Sequence, residues 1–367
     1  MSSFSNRIEI KEGKTRLVVP EDHSIRGPGK RVGKVFYNRQ MRFNRDISVC
    51  LFSAIDLKGR SALDAMAGTG ARGVRIANEA EGDFNIWIND AVPEAHGIIQ
   101  RNIELNDLEN AFAINEDLRC LLTKRVFDYV DIDPFGSPVP YLHSAIIGCR
   151  RNGILAATAT DTAPLAGTYP KKCIRRYGAR PLRGRFGHEI GLRILIGHIV
   201  REVAKYDRGV EPILCFYADH YFRVHLRMRE GGGRADEGLE QLGFIEYDAE
   251  TGRRSISEMP GPTSYGPLWT GPLFDPAILT SMESGKDLAE PRRMEKILET
   301  WKSELDIPFF YDSDEISAIL GISPPPLDAI LEKLGERSNV SRTHFSPTGF
   351  KTDLDFDELL DSFLELV

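Results

Sequence analysis

Residues 61–73, Ser61-Ala-Leu-Asp-Ala-Met-Ala-Gly-Thr-Gly-Ala-Arg-Gly73, constrain the fold more than any other stretch. The apolar positions Ala62, Leu63, Ala65 and Ala67 deliver Asp64 and then Gly68, Gly70 and Gly73. The helical pattern Val74-Arg75-Ile76-Ala77-Asn78 follows. Strand, glycine turn and helix start, in that order, form the part of a doubly wound sheet where a nucleotide-like ligand sits. Glycine admits close approach of the backbone to such a ligand, because a side chain there would clash. Two cofactors fit the turn. Gly68-x-Gly70-x-x-Gly73 matches the dinucleotide fingerprint, and Asp64-x-x-x-Gly68-x-Gly70 matches the turn that holds S-adenosylmethionine. A glycine-rich turn without any ligand is also open at this point.

The chain on either side narrows the choice. Ile47 to Ile55 reads as a helix feeding the first strand. Strand two is Phe84–Asp90, followed by a helix from Pro93 to Asn106. Strand three is Ala111–Asp117, strand four Phe127–Asp133, and strand five Gly153–Thr160. Four of these strands in a row carry polar residues where they end, and ligands of open α/β sheets bind beyond those ends. A lone Asp at a strand end is commonly just the N-cap of the next helix, so the repetition is what tells. A helix over His188–Tyr206 precedes an alternating stretch, Glu211–Arg229, centred on Ala218-Asp219-His220, which reads as an antiparallel hairpin. A parallel sheet ending in such a hairpin is the seven-stranded methyltransferase arrangement, whereas dehydrogenase sheets usually stay parallel. The fold expected is therefore α/β: a Rossmann-like, mostly parallel methyltransferase sheet over residues 1–230, with an N-terminal extension. Gly231-Gly232-Gly233 reads as a linker to a smaller α+β C-terminal domain, 231–367. That domain holds a β-like region (Gly243–Ser257), a Pro/Gly-rich loop (Pro260–Pro276), and helices from about Ala289, Asp314 and Ser323-Pro-Pro-Pro326. It reads as a helical or winged-helix module.

Charge bears on the partner. The net charge is -7, but the sign is unevenly spread. Residues 1–45 hold eleven Lys/Arg against four Asp/Glu, residues 166–205 hold ten against two, and residues 283–367 hold nine against nineteen. A polyanion responds to the field of a patch, so a net-acidic chain can still carry a basic face; a merely solvated basic surface explains either stretch as well. Phe36, Tyr37 and Phe43 alternate with Arg39, Arg42 and Arg45, and this pattern suits either stacking beside phosphates or packing onto the core. The N-terminus has no apolar signal segment, and no apolar run approaches the ~18–20 residues that span a bilayer. The five cysteines are scattered, odd in number and form no C-x-x-C pair, which speaks against a disulfide framework and a structural zinc site. A cytoplasmic location is expected, with no membrane and no evident protein partner.

Asp133-Pro134-Phe135, at the end of strand four, carries the chemistry. Amino-group methyltransferases commonly place D/N-P-P-F/Y there; this chain lacks the second proline. The carboxylate accepts hydrogen bonds from an exocyclic NH2 while the ring stacks on the base. The lone pair of a nucleobase amine is delocalised into the ring, so acceptors on its N–H groups help to aim it at the methyl donor, and positioning supplies much of the rest.

Together, Phe36-Tyr-Asn…Asn44-Arg45-Asp46, Asp64-Ala-Met-Ala-Gly-Thr-Gly-Ala-Arg72-Gly and Asp131-Ile-Asp-Pro-Phe-Gly-Ser-Pro138 resemble the tRNA (guanine-26-N2) dimethyltransferase family. The resemblance continues through Ala159-Thr160-Asp161 and Gly187-His188-Glu189-Ile190-Gly191-Leu192-Arg193, and returns at Gly266-Pro267-Leu268-Trp269. It implies S-adenosylmethionine as cofactor and N2 of guanine 26 in tRNA as the methyl acceptor. By the same resemblance, Asp133 is the amine acceptor, with Phe36 and Phe135 around the flipped base. Asp64, Gly68 and Gly70 form the cofactor turn. Arg45 and Arg72 would lie near the methionine carboxylate, Asp90 on the ribose, and Asp117 with Leu118 on the adenine. Asp161 stands behind these. Lys171, Lys172, Arg175, Arg176 and Arg180 are the candidates for tRNA contact. Two departures stand out. Arg39 takes the place of a proline that often follows Phe-Tyr-Asn in the family, and Gly243–Ser257 lacks the cysteines of members with a zinc site, so zinc is not expected. Two other readings remain: an amino-directed RNA or DNA methyltransferase with a different target, and a non-catalytic RNA-binding protein with a relict cofactor fold. An NAD-dependent oxidoreductase would leave Asp133-Pro-Phe unexplained.

Overall fold

The computed structural model describes residues 7–22 and 35–366. The glycine-bearing stretch that includes Gly27-Pro28-Gly29 and Gly33 lies outside the described residues. The first strands, β1 (Arg7–Glu12) and β2 (Thr15–Pro20), form an antiparallel hairpin pairing Glu12 with Thr15. Helix α1 (Arg42–Ala54) then leads into β3 (Arg60–Asp64), α2 (Ala71–Glu79), β4 (Phe84–Asn89) and α3 (Pro93–Leu105). Next come β5 (Ala111–Ile114), α4 (Leu118–Lys124), β6 (Phe127–Ile132), α5 (Val139–Gly148) and β7 (Cys149–Ala159). Strands β3 to β7 alternate with helices and pair in parallel, as crossover connections require. In β7 every residue from Gly153 to Ala159 is buried, the near-continuous apolar run expected of a strand covered on both faces.

Beyond β7 lie α6 (Thr162–Leu165), α7 (Pro170–Tyr177) and α8 (Gly187–Ala204). The hairpin β8 (Arg208–Ala218) and β9 (Tyr221–Glu230) turns at Asp219-His220, as the alternation indicated. The complete sheet is seven-stranded, in the order β5-β4-β3-β6-β7-β9-β8. Order reverses between β3 and β6, which places the carboxyl ends of β3, β4 and β6 around one crevice.

The chain forms two compact units. One comprises Met1–Thr160, His225–Arg229 and Pro276–Leu298; the other comprises Asp161–Val224, Glu230–Asp275 and Glu299–Val367. In the second unit, Gly232–Glu240 is a helix, α9, where the glycine triplet reads as a linker. Only Gly231 stands outside it, as N-cap. The low propensity of its glycines is overridden by packing, since Ala235 and Gly238 are buried and α9 lies on α8 and β8. A small sheet follows from β10 (Leu242–Tyr247), β11 (Arg254–Ser257) and β12 (Tyr265–Trp269), in the order β11-β10-β12. Strand β12 lies inside the stretch read as a Pro/Gly loop, because β10 offers it an antiparallel edge. After α10 (Pro276–Ser281) and α11 (Pro291–Ser303) come β13 (Tyr311–Asp312), α12 (Ser313–Leu320), α13 (Leu327–Gly335), β14 (Val340–Arg342), β15 (Gly349–Thr352) and α14 (Phe356–Leu364), which surround one small antiparallel sheet in the order β13-β15-β14. Their core joins Ile316, Ile330, Leu334, Phe350, Leu359 and Phe363.

Candidate active site

The turn after β3 is held by its own residues. Asp64 is buried, and its Oδ2 accepts from the Gly73 amide at 3.1 Å. Gly68 has φ +57°, and a Cβ on it would lie 2.8 Å from the carbonyl oxygen of Phe36. No other residue fits that backbone without displacing the Phe36 segment. Gly73 serves a different end: a Cβ there would lie 2.7 Å from Ile88, so it sets how closely α2 sits on the sheet.

The neighbouring strand ends brace this turn. Asp90 follows β4 and accepts from the Gly68 amide at 2.8 Å and the Val92 amide at 2.9 Å. Asn89, fully buried, donates to the carbonyls of Ala65 (2.9 Å) and Glu116 (3.0 Å) and accepts from the Glu116 amide (3.1 Å). One side chain thus ties the turns after β3, β4 and β5. Sequence reasoning missed it; its signal is an amide at the end of a buried apolar strand. Asn102 on α3 likewise donates to the carbonyls of Thr69 and Val18, fixing the glycine turn to the N-terminal hairpin. Asp117 caps α4 through the Arg119 amide, and the Arg119 side chain lowers its carboxyl to about 2. Leu118 beside it is buried.

Arg45 and Arg72, which the resemblance groups together, have different surroundings. Arg45 is buried and forked onto Glu12 (2.6 and 2.8 Å), with a third bond to the Asn38 carbonyl and its guanidinium over the Tyr37 ring. Arg75 joins the same cluster through Glu12 (3.0 Å), Asp46 (2.6 Å) and Glu79 (2.7 Å). Asp46 in turn accepts from the Ala289 and Glu290 amides. Burial alone would push the Glu12 carboxyl up; the Arg45 and Arg75 guanidiniums and the Tyr37 hydroxyl bring it down to about 2. Each charge in this cluster has a partner of opposite sign.

Arg72 heads a second cluster. Its Nη1 donates to Asn44 Oδ1 (2.6 Å) and Ser48 Oγ (3.1 Å), its Nη2 to Asp133 Oδ2, and its Nε lies 3.7 Å from Asp131. Three carboxylates, of Asp64, Asp131 and Asp133, face this one guanidinium. Burial, and then the neighbouring Asp131, pushes the Asp64 carboxyl up to about 7, with Arg72 pulling the other way. Asp133 is one-fifth exposed, and among the described residues its Oδ1 takes no hydrogen bond. Phe135 projects into solvent, 57% exposed, and meets Phe36 edge to face with centroids 4.7 Å apart. The site thus presents a carboxylate fixed by Arg72, with one oxygen unbonded among the described residues, two positions before the exposed Phe135 ring and its partner Phe36. It is equipped to hold an amine on a flat heterocycle.

The basic candidates belong to the second unit and divide in two. Arg176 pairs with Asp161 at 2.7 Å, which also accepts from the Tyr177 hydroxyl. Arg180 lies over the Tyr265 ring and donates to the Pro262 carbonyl. Lys171 and Arg175 are exposed and Lys172 half-buried, and among the described residues none of the three has an acidic partner. Tyr169, the N-cap of α7, and Ile174 on that helix are exposed at 58% and 50%. Among the described residues, no group of three or more His, Cys, Asp or Glu could hold a metal ion, and no helix is long and apolar enough to cross a membrane.

Comparison with known proteins covers nearly the whole chain. The family model described as N2,N2-dimethylguanosine tRNA methyltransferase matches residues 13–363. A tRNA (guanine(26)-N(2))-dimethyltransferase of Pyrococcus abyssi is 41% identical over 95% of this chain and 97% of its own. One from Methanococcus maripaludis is 39% identical over 96% of each. The solved complex of Trm1 from Pyrococcus horikoshii with S-adenosyl-L-methionine superposes with a TM-score of 0.89. It is 38% identical and covers 97% of this chain and 99% of its own.

Proposed function

The chain belongs to the N2,N2-dimethylguanosine tRNA methyltransferase family, and on that footing we propose that it transfers one or two methyl groups from S-adenosyl-L-methionine to the exocyclic N2 of guanine 26 in tRNA. The observation that carries the reading is Asp133, held through one oxygen by Arg72 and open at the other, beside Phe135.

The residues at the glycine turn fit the cofactor. Among the described residues the Asn44 amide keeps a buried N–H without a partner, and Asp90 has acceptor capacity beyond its two amide bonds. Asp64, Gly68, Gly70 and Arg72 would flank its methionine end, Asp90 its ribose, and Asp117 with Leu118 its adenine. We assign Arg45 a supporting role, since its guanidinium is taken up by Glu12 and Asn38. The bound cofactor supplies a methyl group on a positively charged sulfur.

Asp133 Oδ1 accepts a hydrogen bond from guanine N2, which aims the nitrogen lone pair at that methyl. As the nitrogen–carbon bond forms, N2 sheds one proton toward the same carboxylate, and the electron pair of the broken sulfur–carbon bond stays on sulfur. A base between Phe36 and Phe135 requires the exposed Phe135 to swing off its partner, since the rings now touch. Arg72 keeps the carboxylate in place meanwhile. We assign this chemistry to the sheet-bearing residues 1–230. Lys171, Lys172 and Arg175 contact tRNA phosphates, while Arg176 and Arg180 shape that surface through Asp161 and Tyr265. Residues 231–367 support the fold or add RNA contacts, and action on tRNA fits a cytoplasmic enzyme.

The test is methyl transfer from labelled S-adenosyl-L-methionine to unmodified tRNA transcripts bearing G or A at position 26, followed by nucleoside analysis. Label recovered as N2-methylated guanosine from the G26 transcript alone is the expected result. Label on both transcripts, or on neither despite cofactor binding, overturns the assignment of the acceptor.

A further inference from the structure

The turn that carries Asp133 and Phe135 is pinned at its far end by a residue from the adjacent strand. Strands β6 and β7 run parallel with Ile132 opposite Ala157, so their carboxyl ends emerge side by side. Just beyond β7, Thr160 Oγ1 accepts from the Gly136 amide at 2.7 Å, and the Thr160 amide donates to the Gly136 carbonyl at 2.9 Å. The same hydroxyl lies 3.5 Å from that carbonyl oxygen. Gly136 sits at φ +89°, with open space where a Cβ would be. The intervening Pro134 has a fixed φ and no amide proton to donate within the turn.

We propose that Thr160 is a positioning residue for methyl transfer: its hydroxyl locks the Gly136 peptide and thereby sets the place of the Asp133 carboxylate and the Phe135 ring together. This rests on the role given to Asp133 above. Arg72 fixes the carboxylate from the side of α2, and Thr160 fixes the backbone that delivers it. The backbone half of the link survives replacement of the Thr160 side chain by Val or Ser; the hydroxyl half survives only in Ser. Without the hydroxyl, the Gly136 amide lacks its acceptor and the four-residue turn acquires a soft end. Reactions that depend on alignment respond steeply to such loosening.

Thr160→Val keeps the shape and removes the acceptor; Thr160→Ser keeps the acceptor. With the full-length protein and the G26 transcript, Thr160→Val is expected to lower kcat by about tenfold or more, whereas Thr160→Ser stays within about threefold, given the sensitivity of aligned reactions to small displacements. The Kd for S-adenosyl-L-methionine and the Tm should hold in both, which a merely structural role would not allow. Gly136→Ala strains the same turn from the other partner and should reproduce the kcat loss; it decides the matter should Thr160→Val not fold. Full kcat in Thr160→Val or Gly136→Ala, or equal losses in Val and Ser, overturns the proposal. Asp133→Ala serves as the control. If it is inactive, a fully active Thr160→Val refutes Thr160 alone; if it is fully active, the reading of Asp133 itself falls.

Discussion

Two arginine clusters stand on the same pair of helices, and they differ in whether every charge is matched. Residues Asn44 to Ser48 on α1 and Arg72 to Glu79 on α2 contribute to both. Arg45 and Asp46 meet Arg75 and Glu79 in one cluster, closed by Glu12 from the N-terminal hairpin. Asn44 and Ser48 meet Arg72 in the other, which ends on Asp133 and its free oxygen. A closed buried network resists being broken but offers a ligand nothing. An open one keeps excess negative charge beside an exposed aromatic ring, a poor arrangement for stability and a suitable one for holding an amine. Arginines of like appearance in the sequence therefore do different work.

The largest effect expected is at the free oxygen. Asp133→Ala should lower methyl transfer by about 10²–10⁴-fold, the range for a lost acid–base group, with cofactor binding by calorimetry nearly unchanged. A variant that methylates tRNA at full rate would place the chemistry elsewhere. Next comes the direct contrast of the arginines. Arg45→Ala leaves Glu12 without its main partner and should cost about 3–5 kcal/mol of folding stability, read as a large drop in Tm. Arg72→Ala leaves Asp133 partly in water but also takes the guanidinium from the buried Asp64 and Asp131, so its Tm should fall as well, and its kcat should fall more than that of Arg45→Ala for each degree of Tm lost. Equal ratios of the two losses in the two variants would erase the distinction between the clusters.

Acid titration sharpens the same comparison, with opposite signs. The Glu12 carboxyl is lowered from 4.5 to about 2 in the folded state. Its contribution is present above the unfolded value and lost as pH falls toward 2. Glu12→Gln should therefore flatten the loss of stability in that window. The Asp64 carboxyl is raised to about 7, so between about pH 4 and 7 the folded state holds a proton that the unfolded state has released. Stability falls as pH rises through that window, and Asp64→Asn should remove the slope. Denaturant midpoints measured from pH 3 to 8 read both. The smallest effect is expected outside either cluster. Lys171→Ala should leave Tm unchanged and reduce the slope of log K for tRNA against log salt by about 0.7–0.9. A shift in Tm there would show that this lysine is part of the fold rather than a solvated charge.

Much of this architecture is legible locally. The glycine turn, the acids just past β4 and β6 (Asp90, Asp133) and the Asp219-His220 hairpin lie where period and punctuation put them, because backbone sterics and alternation act over a few residues; the strand expected to run to Asp117 stops at Ile114, and Asp117 caps α4 instead. The glycine triplet at 231–233 shows the limit: propensity indicates a break, and packing on α8 makes a helix start.

What the sequence by itself determined is the sheet, the cofactor turn and the presence of an acid before a proline and an aromatic ring at the end of β6. What only the tertiary structure decided is which charges meet. Glu12 reaches Arg45 and Arg75 across 33 and 63 residues, Arg72 reaches Asp133 across 61, and Thr160 reaches Gly136 across 24. An arginine's code is the same whether water or a buried carboxylate surrounds it. Its role follows from the dielectric and the partners that folding supplies, and those belong to distant parts of the chain.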